Sequence, residues 1–289
     1  MNKISSVLIT GGTGSFGQAF IKHLLATTHI PRIVVYSRGE HAQANLRMAL
    51  GDPSRVRWMI GDVRDVDRLK RAMRGVDTVI HAAALKRIEV GAYNPDEMVK
   101  TNVIGVMNVI EAAVAMNVKR VIGLSSDKAF QPISPYGQSK ALGESLLLAA
   151  NSMYGEHGPK FACTRYGNVW AAQGSVVPQW QAQIANGATE LRMTDPNCTR
   201  FFMHMHEAVA MVDDLMLHMQ GGELVIPHFL PAYRLADLAK AFRFLYNVTF
   251  YADGLPSHEK LHESMNDFLC SSVARRMTVE ELVEHLRDA

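Results

Sequence analysis

Between Ser125 and Lys140 the chain sets a hydroxyl, a carboxylate, an amine and a phenol close together, as Ser125-Ser126-Asp127-Lys128 followed by Tyr136-Gly137-Gln138-Ser139-Lys140. Tyr136 and Lys140 are four apart, so a helix puts them on one face. An ammonium there favours the phenolate of a group whose ordinary pKa is about 10. Such a pair can take the proton of a substrate hydroxyl near neutral pH. The expectation is an enzyme that handles a sugar hydroxyl. The bland alternative is a capped turn, with Asp127 as an N-cap, Lys128 solvated and Tyr136 a helix-opening aromatic.

These groups follow an apolar run at 121–124, and a strand end leading into a helix is where open α/β sheets place their chemistry. Apolar runs at 7–10, 33–36, 56–60, 78–82, 121–124 and 161–164 read as buried parallel strands. Helical patterns at 16–26, 41–50, 66–73, 96–116 and 136–154 lie between them. The alternation predicts a doubly wound, Rossmann-like parallel sheet with right-handed crossovers. The rhythm breaks after Arg165, where a helix at 207–218 and a strand at 223–226 are expected. The division that follows is a dinucleotide-binding domain over 1–165, with returning segments near 203–228, and a smaller substrate lobe over 166–289. A further helix is expected at 278–286.

The chain has 289 residues, of which 48% are hydrophobic, enough for one large domain or two unequal lobes. Its formal net charge is +2 with no basic block, so no nucleic-acid footprint is expected. The first residues enter a strand pattern at once, and no apolar run is seen to reach the ~20 residues of a membrane span. Cys163, Cys198 and Cys270 are odd in number and far apart, which argues against disulfides. A soluble cytoplasmic protein is expected.

Thr10-Gly11-Gly12-Thr13-Gly14-Ser15-Phe16-Gly17 ends the first strand pattern and opens a helix. Glycines let backbone amides approach a pyrophosphate, and the helix N-terminus adds partial positive charge. At the end of the second strand, Ser37 and Arg38 suit a 2′-phosphate, so NADP is expected; Glu40 keeps NAD as the alternative. Asp62 and Val63 follow the third strand and are candidates for the adenine, with a helix cap as the other role for Asp62. His81-Ala82-Ala83-Ala84 is small enough for a ribose and nicotinamide to lie against it.

With these residues in place, the chain resembles the extended short-chain dehydrogenase/reductases, through the glycine loop and Tyr136-x-x-x-Lys140. More narrowly it resembles the inverting UDP-N-acetylglucosamine 4,6-dehydratases of a polysaccharide-biosynthesis group. That likeness rests on Ala83-Ala84-Leu85-Lys86, Tyr93-Asn94-Pro95, Lys100-Thr101-Asn102, Ser126-Asp127-Lys128, Tyr166-Gly167-Asn168-Val169, Gly174-Ser175-Val176-Val177-Pro178, Thr199-Arg200-Phe201 and Glu259-Lys260-Leu261-His262-Glu263. The resemblance implies Asn102 beside the cofactor, and Lys86, Tyr166, Asn168, Val176, Arg200 and Glu259 around a nucleotide sugar. It implies that Tyr136 as phenolate takes the 4-hydroxyl proton while NADP accepts hydride from C4. Lys128, as a neutral amine, then removes the C5 hydrogen, and protonated Asp127 assists the leaving 6-hydroxyl. Ser126 would bond O4, and Lys140 would bridge Tyr136 and the cofactor ribose. A homo-oligomer built on the helices at 96–116 and 136–154 is also implied. The chain departs from the family pattern at Gln173, where arginine is usual, and at Pro256-Ser257-His258, where Arg-Pro-Gly is usual. A 4-epimerase, a ketoreductase or a cofactor-sensing binding protein remain as alternatives.

Two histidine patterns stand apart. His258-Glu259-Lys260-Leu261-His262 fits the H-E-x-x-H spacing of zinc sites on helices, but the family resemblance accounts for most of it and no metal is expected. His204 and His206 alternate with Met203 and Met205, a period of two that suits a strand.

Overall fold

The computed structural model describes residues 4–288. The first half builds β1 (Ser6–Thr10), β2 (Arg32–Ser37), β3 (Val56–Ile60), β4 (Thr78–His81), β5 (Arg120–Leu124) and β6 (Lys160–Thr164). Its helices are α1 (Ser15–Thr27), α2 (Glu40–Ala49), α3 (Val66–Ala72), α4 (Ile88–Tyr93), α5 (Pro95–Val99), α6 (Gly105–Ala115) and α7 (Pro135–Tyr154). The second half adds β7 (Glu190–Met193), β8 (Thr199–Phe201), β9 (Leu224–Val225), β10 (Ala232–Arg234) and β11 (Thr249–Ala252). With them come α8 (Val176–Ala185), α9 (Met205–His218), α10 (Leu235–Tyr246) and α11 (Val279–Arg287).

Seven strands form one parallel sheet in the order β3-β2-β1-β4-β5-β6-β9. Alternate residues of each strand feed opposite faces, as the pleat requires. Val7, Ile9, Val35, Ile80 and Ile122 pack under α1 and α9. Leu8, Val34, Val79, Val121 and Phe161 pack under α3, α6 and α7. Both faces are covered, which is why these strands read as unbroken apolar runs. Strand order reverses between β1 and β4, where Thr10 pairs with His81, and that reversal opens a crevice at the strand ends.

The expected helix over 96–116 is one helical stretch containing a wider π turn at Lys100–Ile104. It is also the one helix among the described residues long and apolar enough to cross a membrane by length and composition, and 56% of that window is buried inside the protein. The strand expected around His204 and His206 does not form. His204 instead caps α9, with its backbone N–H donating to Glu207 Oε2 at 2.7 Å. His258 lies in a turn and His262 in an isolated bridge to Thr199, so their imidazoles share no helical face. The second half packs its own core around Trp180, Phe202, Tyr233, Phe242 and Leu282. Antiparallel β8–β10 and parallel β7–β11 form two small sheets there. At the end of the chain, Thr278 and Glu281 form a reciprocal capping box for α11.

Candidate active site

One cavity of about 1370 Å³ runs from the glycine loop across the ends of β4 and β5 into the second half. That exceeds the roughly 300–1,000 Å³ usual for one small ligand, so it has room for a dinucleotide and a second molecule together. Gly11, Thr13, Gly14, Ser15, Phe16 and Gly17 line one end, with Ser37, Arg38, Asp62, Val63, Ala82, Ala83 and Ala84. Gly11 has φ of +65°, and a Cβ there would come within 2.8 Å of the Ala83 nitrogen. The turn therefore tolerates no side chain at Gly11. This cradle fits a dinucleotide pyrophosphate.

Several expected roles change. Asn102 lies outside the cavity lining: its amide donates to Leu85 O and Ser139 Oγ, both at 2.9 Å, and its Oδ1 accepts from Leu85 N. It braces the segment after β4 against α7. Glu40 is exposed and also outside the lining, whereas Arg38 is exposed and within it. Asp62 is held by Arg64, which donates from Nη2 at 2.7 Å and from Nε at 2.9 Å, while Asp65 caps α3.

Ser126, Asp127, Lys128, Tyr136 and Lys140 all face the same cavity, as do Lys86, Tyr166, Asn168, Val176, Arg200 and Glu259. The local sequence explains how the first group converges. Ser134 Oγ accepts from Gly137 N and Pro135 fills the first turn, so α7 starts with Tyr136 at its mouth. A Cβ on Gly137 would sit 2.4 Å from Lys128 O; only glycine allows α7 to start against that backbone. Ser126 Oγ donates to Asp127 Oδ1 at 2.8 Å and sits near enough to Tyr136 to favour its phenolate. Lys128 Nζ donates to Asp127 Oδ1 at 3.1 Å and to Asn168 Oδ1 at 3.3 Å.

The electrostatics differ from the expectation at two residues. Burial works against the Lys128 ammonium, but Asp127 and Glu263 outweigh it and hold the pKa well above the ordinary lysine value. The protein's own groups thus favour an ammonium, not a free amine. Burial also raises the Tyr136 phenol, partly offset by Lys128 and Ser126. Lys140 does not supply that offset. Its Nζ donates to Leu124 O, and its own pKa is lowered, first of all by burial. Burial likewise lowers Lys86, whose Nζ donates to Gln173 O at 2.7 Å.

Trp180, Arg192, Cys198 and Tyr233 also line the cavity, and Glu263 stands behind Lys128. None was singled out for a role from sequence, since they come from separate elements of the second half and carry no local spacing signal.

A twisted parallel sheet with a glycine cradle at its first turn and a Tyr-x-x-x-Lys helix is the architecture of an extended short-chain dehydrogenase/reductase. The chain belongs to the family described as "Polysaccharide biosynthesis protein", whose model matches residues 7–279. Over 260 residues it is 44% identical to a UDP-N-acetylglucosamine 4,6-dehydratase (inverting) of Campylobacter jejuni, covering 90% of this chain and 77% of that one. It is 41% identical to a UDP-glucose 4-epimerase of Rickettsia akari, covering 83% and 71%. Among solved structures, Pen from Bacillus thuringiensis matches with a TM-score of 0.93 and 31% identity, over 99% of both chains.

Proposed function

We propose that the protein is an NADP-dependent nucleotide-sugar 4,6-dehydratase that inverts C5. Its substrate is UDP-N-acetylglucosamine or a related activated sugar of glycan biosynthesis. We place it in the cytoplasm, as a homo-oligomer. The observation that carries the reading is the buried Asp127–Lys128 pair, 3.1 Å apart beside Tyr136 in one cavity. A 4-epimerase or ketoreductase needs Tyr136, Lys140 and the cofactor, but no acid and base for C5 and C6. Ser37 and Arg38 in the lining, with Glu40 outside it, support a 2′-phosphate. Lys86 and Arg200 are the cations for a diphosphate, in place of the arginines usual at 173 and 256.

When bound, NADP would supply an acceptor for the C4 hydride and a donor for C6. Tyr136, in its phenolate form, takes the O4 proton. The 4-ketone acidifies the C5 hydrogen, and Lys128 removes it. The ion pair Asp127–Lys128 and its neutral tautomer differ by one proton moved across their hydrogen bond, so the resting pair holds the acid and base that elimination needs. Asp127 gives its proton to the departing 6-hydroxyl, and Lys128 returns one to C5. Water is the net loss. Ser126, between Tyr136 and Asp127, offers the path by which the phenol proton re-arms the acid.

Incubation with UDP-, GDP-, CDP- and dTDP-sugars, followed by mass spectrometry, tests this. One sugar should lose the mass of water. An isomer of unchanged mass would establish the epimerase instead, and no product from any sugar would leave the binding-protein reading.

A further inference from the structure

Glu263 is 2% exposed, sits beside Lys128 and does not line the cavity. Its backbone is clamped by Ser271: Glu263 N donates to Ser271 Oγ at 2.9 Å, and Ser271 N donates to Glu263 O at 2.8 Å. Its Oε1 lies 3.5 Å from Lys128 Nζ. Its Oε2 has no hydrogen-bond partner among the described residues and lies 3.6 Å from Lys260 Nζ. Lys260 is itself fixed, donating to Phe130 O at 2.6 Å. A buried carboxylate held this firmly is costly unless cations face it.

We propose that Glu263 is a positioning residue for proton abstraction at C5, holding the Lys128 amine at the cavity wall and stabilising the ammonium that forms there. This rests on the dehydratase reading. When Lys128 takes the C5 proton, Asp127 still carries the proton meant for the leaving hydroxyl. Glu263 is then the anion beside the new positive charge. The logic is that of a carboxylate behind a catalytic imidazole, transferred to an amine. The other charged and titratable groups are fixed by the same fold. Asp127, Tyr136, Tyr233 and Arg200 face Lys128, and Arg200 is paired with Glu259 at 3.1 Å. Lys260, Arg200 and Cys270 face Glu263, and His262 is turned to Thr199 Oγ1 at 2.9 Å.

The experiment compares wild type, Glu263→Gln and Glu263→Asp with UDP-N-acetylglucosamine. Cofactor reduction and solvent-deuterium incorporation at C5 are followed across pH. Glu263→Gln should leave cofactor reduction within about twofold and slow C5 exchange roughly 100-fold. Its pH limb for Lys128 should move to lower pH, because the amine loses an anion. Glu263→Asp should recover part of both effects. If Glu263→Gln folds and its exchange rate and limb match wild type, the proposal is overturned. Loss of both steps together with no movement of the limb also overturns it, since that marks a structural role. If Glu263→Gln does not fold, Lys260→Met asks the question with opposite sign. Glu263 then faces Lys128 without Lys260, and the limb should move to higher pH; an unmoved limb overturns the proposal. A wild type that reduces its cofactor on the sugar without C5 exchange sinks this inference alone. One that never reduces it with any nucleotide sugar removes the dehydratase reading and this proposal with it.

Discussion

Arg165–Glu144 and Asp127–Lys128–Glu263 are two knots of buried charge near the carboxyl ends of β5 and β6, made from the same kinds of group and finished differently. Arg165 donates from Nε and Nη2 to the two oxygens of Glu144, and from Nη1 to Met265 O. Both carboxylate oxygens are partnered. In the other knot, Asp127 Oδ2 and Glu263 Oε2 are buried without a hydrogen-bond partner among the described residues. Side-chain exposure does not separate the two, being 10% and 7% for the first pair against 1% for Asp127, 3% for Glu263 and 15% for Lys128. What separates them is satisfaction. The completed pair ties the end of β6 to α7, and Arg165 reaches on to Met265 O in the second half. An incomplete one beside the cavity leaves two buried carboxylate oxygens without a partner among the described residues, a cost that functional sites carry.

If that contrast holds, matched substitutions should split activity from stability. Asp127→Asn should cut turnover by about 10²–10⁴-fold, while the unfolding free energy changes by less than about 1 kcal/mol or rises. Glu144→Gln should do the reverse. It leaves Arg165 buried without its anion and should cost about 3–5 kcal/mol, with turnover per folded molecule changing far less than stability. Urea unfolding beside steady-state kinetics reads both. Asp127→Asn proving the more destabilising of the two would break the comparison.

A buried base with no anion at all sharpens it. His81 lies under the crevice, its Nδ1 2.8 Å from Thr10 Oγ1. Burial, with a smaller contribution from Lys140, lowers its pKa to about 3. The unfolded chain, with an ordinary value near 6.5, therefore binds a proton that the folded one refuses. The contribution is fully present above about pH 6.5 and is lost as pH falls toward 3. At pH 5 it should have removed about 2 kcal/mol relative to pH 7.5. Unfolding curves of wild type and His81→Asn should show the substitution flattening that slope; parallel slopes would mean that His81 is protonated in the fold.

How much of this was legible in the sequence follows from distance along the chain. The six strands of the first half, the glycine cradle and the set Ser126, Asp127, Lys128, Tyr136 and Lys140 are local patterns, and their positions survive folding. The bracing role of Asn102 was not legible, because a small polar residue in a π turn can brace a loop as readily as touch a ligand. The strand expected at His204 and His206 failed because Glu207, three residues after His204, was a helix-start signal that outweighed the two-residue period. Glu263 reaches Lys128 from the far end of the chain, and Arg165 finds Glu144 on a different element. No spacing rule announces either. The expected support of Tyr136 by Lys140 is not seen, since Lys140 bonds to Leu124 O, while Asp127 next to Lys128 and Glu263 from far in sequence together hold that lysine as an ammonium.

The smallest effect should come from a charge in water. Arg38 is exposed at the rim of the cavity, where an ion pair is screened and worth about 1 kcal/mol. Arg38→Ser should therefore lower the preference for NADP over NAD by only about fivefold, and most of that should vanish at high salt. Ser37 lends less help than its position suggests, since Gln43 Nε2 donates to its Oγ at 3.0 Å and occupies one of its lone pairs. The ratio of kcat/KM values for the two cofactors, measured at two ionic strengths, gives the answer. An unchanged ratio would mean that the 2′-phosphate does not meet Arg38, and that the cofactor preference is set by contacts deeper in the cradle. A drop of a hundredfold or more, insensitive to salt, would place Arg38 among the desolvated charges and erase the distinction between rim and interior on which the comparison rests.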